Sequence, residues 1–240
     1  MATSPADVRR FSRLSRSWRT ILAETGLRPS RSVLEVGCGG GMQLLPLAVR
    51  GYRCTGIDCS PEVLGRCRAF IASVERWTPG PLPIDLIDGD FLEYETEASF
   101  DLVFNFGVVE HFIDEDERRR FVEKTFALCR PGGHVVSVVP NGGHPFRDRM
   151  RREGWGGYGV PEIDYTPALL AGECRRAGAA AVVVLPNSLF GYLGMDLTAG
   201  TFRRRLHRML FVGAQLLPRI PSAFTYRHAY TLICIARKAA

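Results

Sequence analysis

Lysine is almost missing from this chain. Of its 31 basic residues only Lys124 and Lys238 are lysine, which leaves 29 arginines in a sequence of 240 residues and net charge +6. Such a bias can come from a GC-rich genome. The runs Arg9–Arg19, Arg147–Arg152 and Arg203–Arg208 are therefore read first as solvated faces. An acidic substrate, RNA or an anionic membrane surface are the partners they would otherwise suit.

A C-x-x-C pair is also missing. The seven cysteines are odd in number and scattered, which argues against a disulfide framework and points to a reduced, cytoplasmic setting. Cys38, Cys54, Cys59 and Cys67 lie near one another in sequence but at no ligand spacing, so no zinc or other metal is expected. There is no run of about 18 uncharged apolar residues, so no membrane-spanning helix is expected. No apolar secretory region stands near the start. The Arg- and Ser-rich stretch from Val8 to Arg19 resembles a transit peptide, but reads more plainly as an amphipathic helix: Val8, Phe11, Leu14, Trp18 and Ile21 share one face at helical spacing.

Internal repeats, low-complexity tracts and a clear interdomain linker are absent as well. Residues 1–240 read as one domain, and a hydrophobic content of 46% is ample for a core. Segment 1–28 is its helical start, and 187–227 is a helical insertion before the last strand. Between them, short apolar runs alternate with helical patterns. "RSVLEVG", "YRCTGID", "IDLIDGD", "SFDLVFNFG", "HVVSVVPN", "AAAVVVLP" and "HAYTLICIARK" read as seven strands. Helices are expected over "GMQLLPLAVRG", from Ser60-Pro61 to about Arg76, over "DEDERRRFVEKTFALCRPGG" and from Thr166-Pro167 to Gly178. This alternation implies an α/β fold: a doubly wound, seven-stranded, mostly parallel sheet with helices on both faces.

One stretch gives up side chain where a core strand should continue. "VLEVGCGGGMQ" carries four glycines, Gly37, Gly39, Gly40 and Gly41, within five positions. In regular structure each costs roughly 0.5–1 kcal/mol relative to alanine. A strand, a glycine turn and a helix place bare amides where a doubly wound sheet binds nucleotide-like ligands. The dinucleotide fingerprint G-x-G-x-x-G/A fails at Met42, and the lysine of a phosphate-binding P-loop is absent.

The stretch does match acid-x-G-x-G-x-G, with Glu35 ahead of Gly37. It resembles motif I of the class I (Rossmann-like) S-adenosylmethionine-dependent methyltransferases. That resemblance implies an acid closing strand 2 to hold ribose hydroxyls, and Asp58 stands there with Cys59 beside it. It implies a polar residue after strand 3 near the adenine, and "DGDF" supplies Asp90 and Phe91. "FDLVFNFGVVEHF" and "LCRPGGHVVSVVPN" resemble the family's strand-4 and strand-5 segments, with Asn105 near the methionine part. The resemblance covers about residues 30–180 and implies an antiparallel last strand. The cofactor set it implies is Glu35, Gly37, Gly39, Gly41, Asp58, Cys59, Asp90, Phe91 and Asn105. S-adenosyl-L-methionine would be the cofactor and S-adenosyl-L-homocysteine the product.

Methyl transfer to oxygen or nitrogen also needs the acceptor's proton removed. His111, beside Glu110, and His144, after strand 5, are the candidate bases. Glu110, Asn141 and the aromatics Trp155, Tyr158 and Tyr165 are the candidate acceptor contacts, the aromatics on a lid over 142–165. The motif [N/D]-P-P-[Y/F] is absent and no RNA-binding module is visible, so no nucleic-acid partner is expected. The basic amphipathic segment near Thr201–Leu217 could shape an acceptor pocket, join a homodimer or rest on a membrane. A small-molecule acceptor, hydrophobic, lipid-linked or natural-product-like, is the expected partner of a monomer or homodimer. A protein or RNA methyltransferase and a non-catalytic cofactor-binding module are the alternatives.

Overall fold

Parallel strands buried on both faces need nearly continuous apolar sequence, and "SVLEV" and "FDLVFNF" supply it at the centre of the sheet. A computed structural model describes residues 4–153, 160–195, 200–215 and 220–240. Among them the strands are β1 (Ser32–Val36), β2 (Arg53–Asp58), β3 (Ile84–Asp88), β4 (Phe100–Phe106), β5 (Cys129–Pro140), β6 (Ala179–Leu189) and β7 (Ala229–Lys238). The helices are α1 (Pro5–Phe11), α2 (Arg16–Thr25), α3 (Leu45–Ala48), α4 (Pro61–Glu75), α5 (Glu115–Leu128), α6 (Arg147–Glu153), α7 (Pro167–Arg176), α8 (Thr201–Ala214) and α9 (Ala223–His228). None of the described helices is long and apolar enough to cross a membrane.

The sheet order is β3-β2-β1-β4-β5-β7-β6. β7 runs antiparallel to both its neighbours, and the β1 to β5 pairings are parallel. The expected doubly wound sheet is what forms. Strand order reverses between β1 and β4, and the crevice at the carboxyl ends of these two strands is where such sheets take ligands.

Alternating side chains sort the core into two layers. Trp18 and Ile21 of α2 and Leu64 of α4 pack with Val33, Leu102, Phe104, Val136 and Ile233 on one face. Phe121 and Phe126 of α5 and Leu170 of α7 pack with Leu34, Val103, Val135 and Cys234 on the other. Trp18 meets Phe104 edge to face at 4.8 Å, and its Nε1 donates to Gln43 Oε1 at 3.0 Å. The amino-terminal helix is thereby fastened beside the glycine stretch.

Three expectations need correction. The first helix is two helices, because Ser15 leaves the helical path to cap α2, its Oγ accepting from the Trp18 amide at 3.1 Å; serine competes for backbone in this way. The helix expected over "GMQLLPLAVRG" is regular only over the four residues of α3, where Pro46 removes an amide donor. β5 begins at Cys129 rather than His134. The register slips between Phe100 and Leu102, so "RPGG" forms an irregular edge of the strand instead of the end of the helix expected over "DEDERRRFVEKTFALCRPGG".

A buried ion pair pins α5 to α7. Arg118 Nε donates to Glu173 Oε1 at 2.9 Å, and both side chains are buried. Tyr165 donates to Glu173 Oε2 at 2.7 Å. Arg118 Nη1 donates to the Phe112 and Ile113 carbonyls at 3.0 and 3.1 Å, which holds the chain leaving β4. Removing one partner of a buried pair strands the other charge, a loss of about 3–5 kcal/mol. Glu173→Ala is expected to lower unfolding stability by that order in urea titration, and an unchanged midpoint would refute this role.

Candidate active site

Gly37 and Val108 approach each other too closely for any side chain at residue 37. A Cβ there would stand 2.6 Å from Val108 Cγ2, and the backbone φ is +69°. Only glycine meets both demands at low cost. The loop after β1 therefore lies against the turn after β4, at the reversal point of the sheet. Gly37 and Cys38 both donate to the Ile57 carbonyl, at 2.8 and 3.0 Å. Gly39 and Gly40 face open space, with nothing within 4 Å of an added Cβ. Gly41, at φ +75°, has Cys67 Sγ where its own side chain would go.

Asp58 ends β2 across from this loop. Its Oδ2 accepts from the Gly39 amide at 2.9 Å and its Oδ1 from the Ser60 amide at 3.0 Å. Each oxygen keeps a further lone pair for a ligand hydroxyl. Cys59 is exposed beside it. Glu35 lies beneath the loop at 2% exposure, and its Oε2 has no hydrogen-bond partner among the described residues. Burial first, and then the Asp58 carboxylate, push the Glu35 carboxyl well above the usual range. A buried acid so placed is suited to a cationic group. Open space along Gly39 and Gly40, a hydroxyl-accepting carboxylate and an unpartnered acid fit the sugar and amino-acid ends of S-adenosylmethionine.

The other residues expected around the cofactor are placed differently. Asp90 is exposed after β3, its Oδ1 accepting from the Leu92 amide at 2.8 Å. Phe91 does not offer a free ring: it is 7% exposed and packs 5.1 Å from Phe121. Its aromatic surface is used in the core. Asn105 falls on the sheet face opposite Glu35, because strand positions alternate, and it pairs in register with Val36. It is fully buried and donates to Ser137 Oγ at 2.9 Å.

The two candidate bases differ in tautomer. His111 is exposed in the 3-10 turn Val109–His111. Its Nδ1 lies 3.0 Å from the Pro161 carbonyl. A carbonyl only accepts, so this hydrogen bond assigns the proton to Nδ1 and leaves Nε2 as the base in the neutral ring. His144 is 3% exposed and stacks on Tyr192 at 5.1 Å. Its Nδ1 accepts from the Phe146 amide at 3.3 Å, so its lone pair is engaged. Burial, and then Arg147, hold its pKa down to about 4. The expectation that His144 acts as base is corrected: near neutral pH it is an uncharged packing residue with its proton on Nε2.

Two expected acceptor contacts are spent on structure. Asn141 donates to the Tyr226 and Ala229 carbonyls at 2.7 and 2.8 Å and accepts from the Gly143 amide at 3.1 Å. Tyr165 is fully buried, with its hydroxyl on Glu173. Trp155 and Tyr158 lie outside the described residues.

A polar cluster beside His111 went unrecognised in the sequence. Arg147, 2% exposed, reaches Glu162 Oε1 with Nη1 and Asp164 Oδ1 with Nε, both at 2.7 Å. Arg151 adds a 2.9 Å pair to Asp164. The basic run containing Arg147 and the acids of "PEIDY" were the only signals, and nothing local pairs them. Glu110, His111 and Glu162 bring ligand-capable atoms within 4.8 Å of one another. Arg147 already provides the positive charge there. A separate hollow of about 890 Å³, lined by Arg28, Arg31, Arg53, Asp101, Arg130 and Arg237 among others, opens at the amino ends of the strands. That is the opposite edge of the sheet.

Residues 33–133 match the family model for a methyltransferase domain. Carboxy-S-adenosyl-L-methionine synthase of Yersinia enterocolitica is 28% identical over 120 residues, 48% of this chain and 43% of that protein. The match thus spans less than half the length of the curated relative. Phosphoethanolamine N-methyltransferase 2 of Haemonchus contortus, solved with S-adenosyl-L-methionine, has a TM-score of 0.62 at 16% identity, over 92% of this chain and 52% of that one. NodS, an N-methyltransferase of Bradyrhizobium japonicum solved with S-adenosyl-L-homocysteine, has a TM-score of 0.57 at 18% identity, over 99% and 90%. These two likenesses show the fold. The family match over residues 33–133, together with these folds and the glycine loop, supports a class I, Rossmann-like S-adenosylmethionine-dependent methyltransferase.

Glu110 gives the site a pH signature. Burial raises its carboxyl to about 7 from an ordinary 4.5, with Glu162 adding and the backbone, His111 and Arg147 opposing. The folded chain then holds more protons than the unfolded chain between those two values, so the associated stability is lost as pH rises through that window. Glu110→Gln is expected to flatten the stability–pH slope there in denaturant titrations, though not wholly, since Glu35 acts in the same direction. An identical slope would contradict the assignment.

Proposed function

We propose that this protein moves a methyl group from S-adenosyl-L-methionine to an oxygen or nitrogen of a small-molecule acceptor and releases S-adenosyl-L-homocysteine. The observation that carries the reading is the open Gly39–Gly40 backbone, with Asp58 across it and the unpartnered Glu35 beneath. When bound, the cofactor supplies a methyl group on a positive sulfur. Glu35 would balance the ammonium of its amino-acid tail, and Asp58 would accept from its ribose hydroxyls. Asp90 stands at the neighbouring strand end for the base. These groups hold the donor, and a well-oriented pair of reactants gains effective molarities of roughly 10⁵ M or more.

His111 is the group placed to take the acceptor's proton. Its Nε2 is the basic nitrogen, and the Pro161 carbonyl fixes the ring. Glu110 is a positioning residue that stabilises the charged imidazole as the proton arrives. When the acceptor receives that methyl group, its proton would pass to Nε2 of His111. The acid-lined surroundings of His111 and the likeness to two N-methyltransferases support an amine as readily as a hydroxyl.

Asp58→Ala is expected to weaken S-adenosylhomocysteine binding more than tenfold by calorimetry, and an unchanged dissociation constant would defeat the site. His111→Asn should lower labelled methyl transfer into fractionated extract by roughly 10²–10⁴-fold. Cofactor affinity should stay as in the parent, and His144→Asn should retain much more activity. Equal losses in the two histidine variants would contradict the choice of base.

A further inference from the structure

The helix α8 turns its apolar residues outward. Phe202, Leu206, Met209 and Leu210 fall on one helical face at i, i+4, i+7 and i+8, and they are 83, 45, 71 and 51% exposed. The other side holds α8 to the fold. Ala214 packs with Leu189 and Ala229. Gln215 donates to the Leu189 carbonyl at 3.3 Å and accepts from Arg16 Nη1 at 3.2 Å. A surface helix of a globular domain ordinarily turns such a stripe to the core. Phe224, also exposed, stands 6.2 Å from Phe190, which joins the same small cluster.

Charge identifies what covers this face. α8 carries Arg203, Arg204, Arg205 and Arg208, and no acid lies between Thr201 and Gln215. Helical spacing sets Arg203 and Arg205 on either flank of the apolar stripe. Apolar side chains between flanking arginines suit an acyl–headgroup boundary that bears negative charge. A second copy is disfavoured, since an isologous pairing through the stripe would bring the flanking Arg203 and Arg205 of both copies together. A polyanion alone would leave the apolar stripe wet.

We propose that α8 docks the protein onto an anionic lipid bilayer, with Phe202, Leu206, Met209 and Leu210 in the acyl boundary and the flanking Arg203 and Arg205 among headgroup phosphates. Leu189, where α8 is anchored, ends β6 at the same edge of the sheet as the glycine loop. A bilayer would therefore lie beside the edge that carries the candidate active site. The docking does not rest on the methyl-transfer reading.

Sedimentation of the full chain with vesicles tests it. Binding to vesicles of phosphatidylcholine and phosphatidylglycerol in equal amounts is expected to exceed binding to phosphatidylcholine alone by at least tenfold, and to weaken with added salt. Phe202→Ser with Met209→Ser, or Arg203→Glu with Arg205→Glu, should each reduce binding at least tenfold. All four positions are exposed, so the circular dichroism spectra should be unchanged. Equal binding to the two vesicle types, no binding to either, or binding untouched by both double variants would overturn the proposal. So would light scattering that shows a dimer dissociated by the Phe202 and Met209 changes, which would assign the face to a second copy.

Discussion

The contact between Gly37 and Val108 governs this molecule's functional edge. It brings the loop after β1 against the turn after β4 at the one place where strand order reverses. A side chain at residue 37 would push the two apart. With glycine, the open Gly39–Gly40 backbone, the Asp58 carboxylate and the His111 turn share one edge. The parallel sheet below supplies the rigidity, since β1 and β4 are covered on both faces by α2, α4, α5 and α7.

That edge concentrates acids that the fold does not neutralise fully. Glu35 and Glu110 are both buried, both hold their protons more tightly than a free carboxyl, and each has an oxygen without a partner among the described residues. Leaving such groups buried opposes folding. Elsewhere buried charges meet opposite charges: Arg118 has Glu173, and Arg147 is ion-paired with Glu162 and Asp164. Perturbed acids in a cleft are a recurrent mark of function, a probabilistic one, and here geometry points to the same place.

Much of this was legible in the sequence, because the signals were local. The alternation of apolar runs and helical patterns yields the sheet and its two helical layers. Gly37 to Gly41, Glu35 and Asp58 are readable because a turn at a strand end needs particular residues at particular spacings. What was not legible depends on contacts between distant segments. Arg147 meets Glu162 and Asp164 only once "VPNGGHPFRDRM" and "PEIDYTP" fold together. Phe91 looked free beside an acid, but the neighbouring α5 offers Phe121 and the ring is drawn inward. Asn141 and Tyr165 resembled acceptor contacts because polar and aromatic residues in a loop often are; their hydrogen bonds go to Ala229, Tyr226 and Glu173 instead. The histidines could be ranked only when a carbonyl and an amide revealed which nitrogen of each ring carries the proton. The outward face of α8 was likewise hidden, since periodicity shows that a helix has two sides without saying which one meets the core.

The most direct measurement is a crystal structure of the full chain grown with S-adenosyl-L-homocysteine. Density is expected along Gly39 and Gly40, with the ribose on Asp58 and the amino group facing Glu35. A ligand seated at the amino ends of the strands among Arg28, Arg53 and Arg237, or a cleft left empty at saturating ligand, would contradict the assignment of this edge.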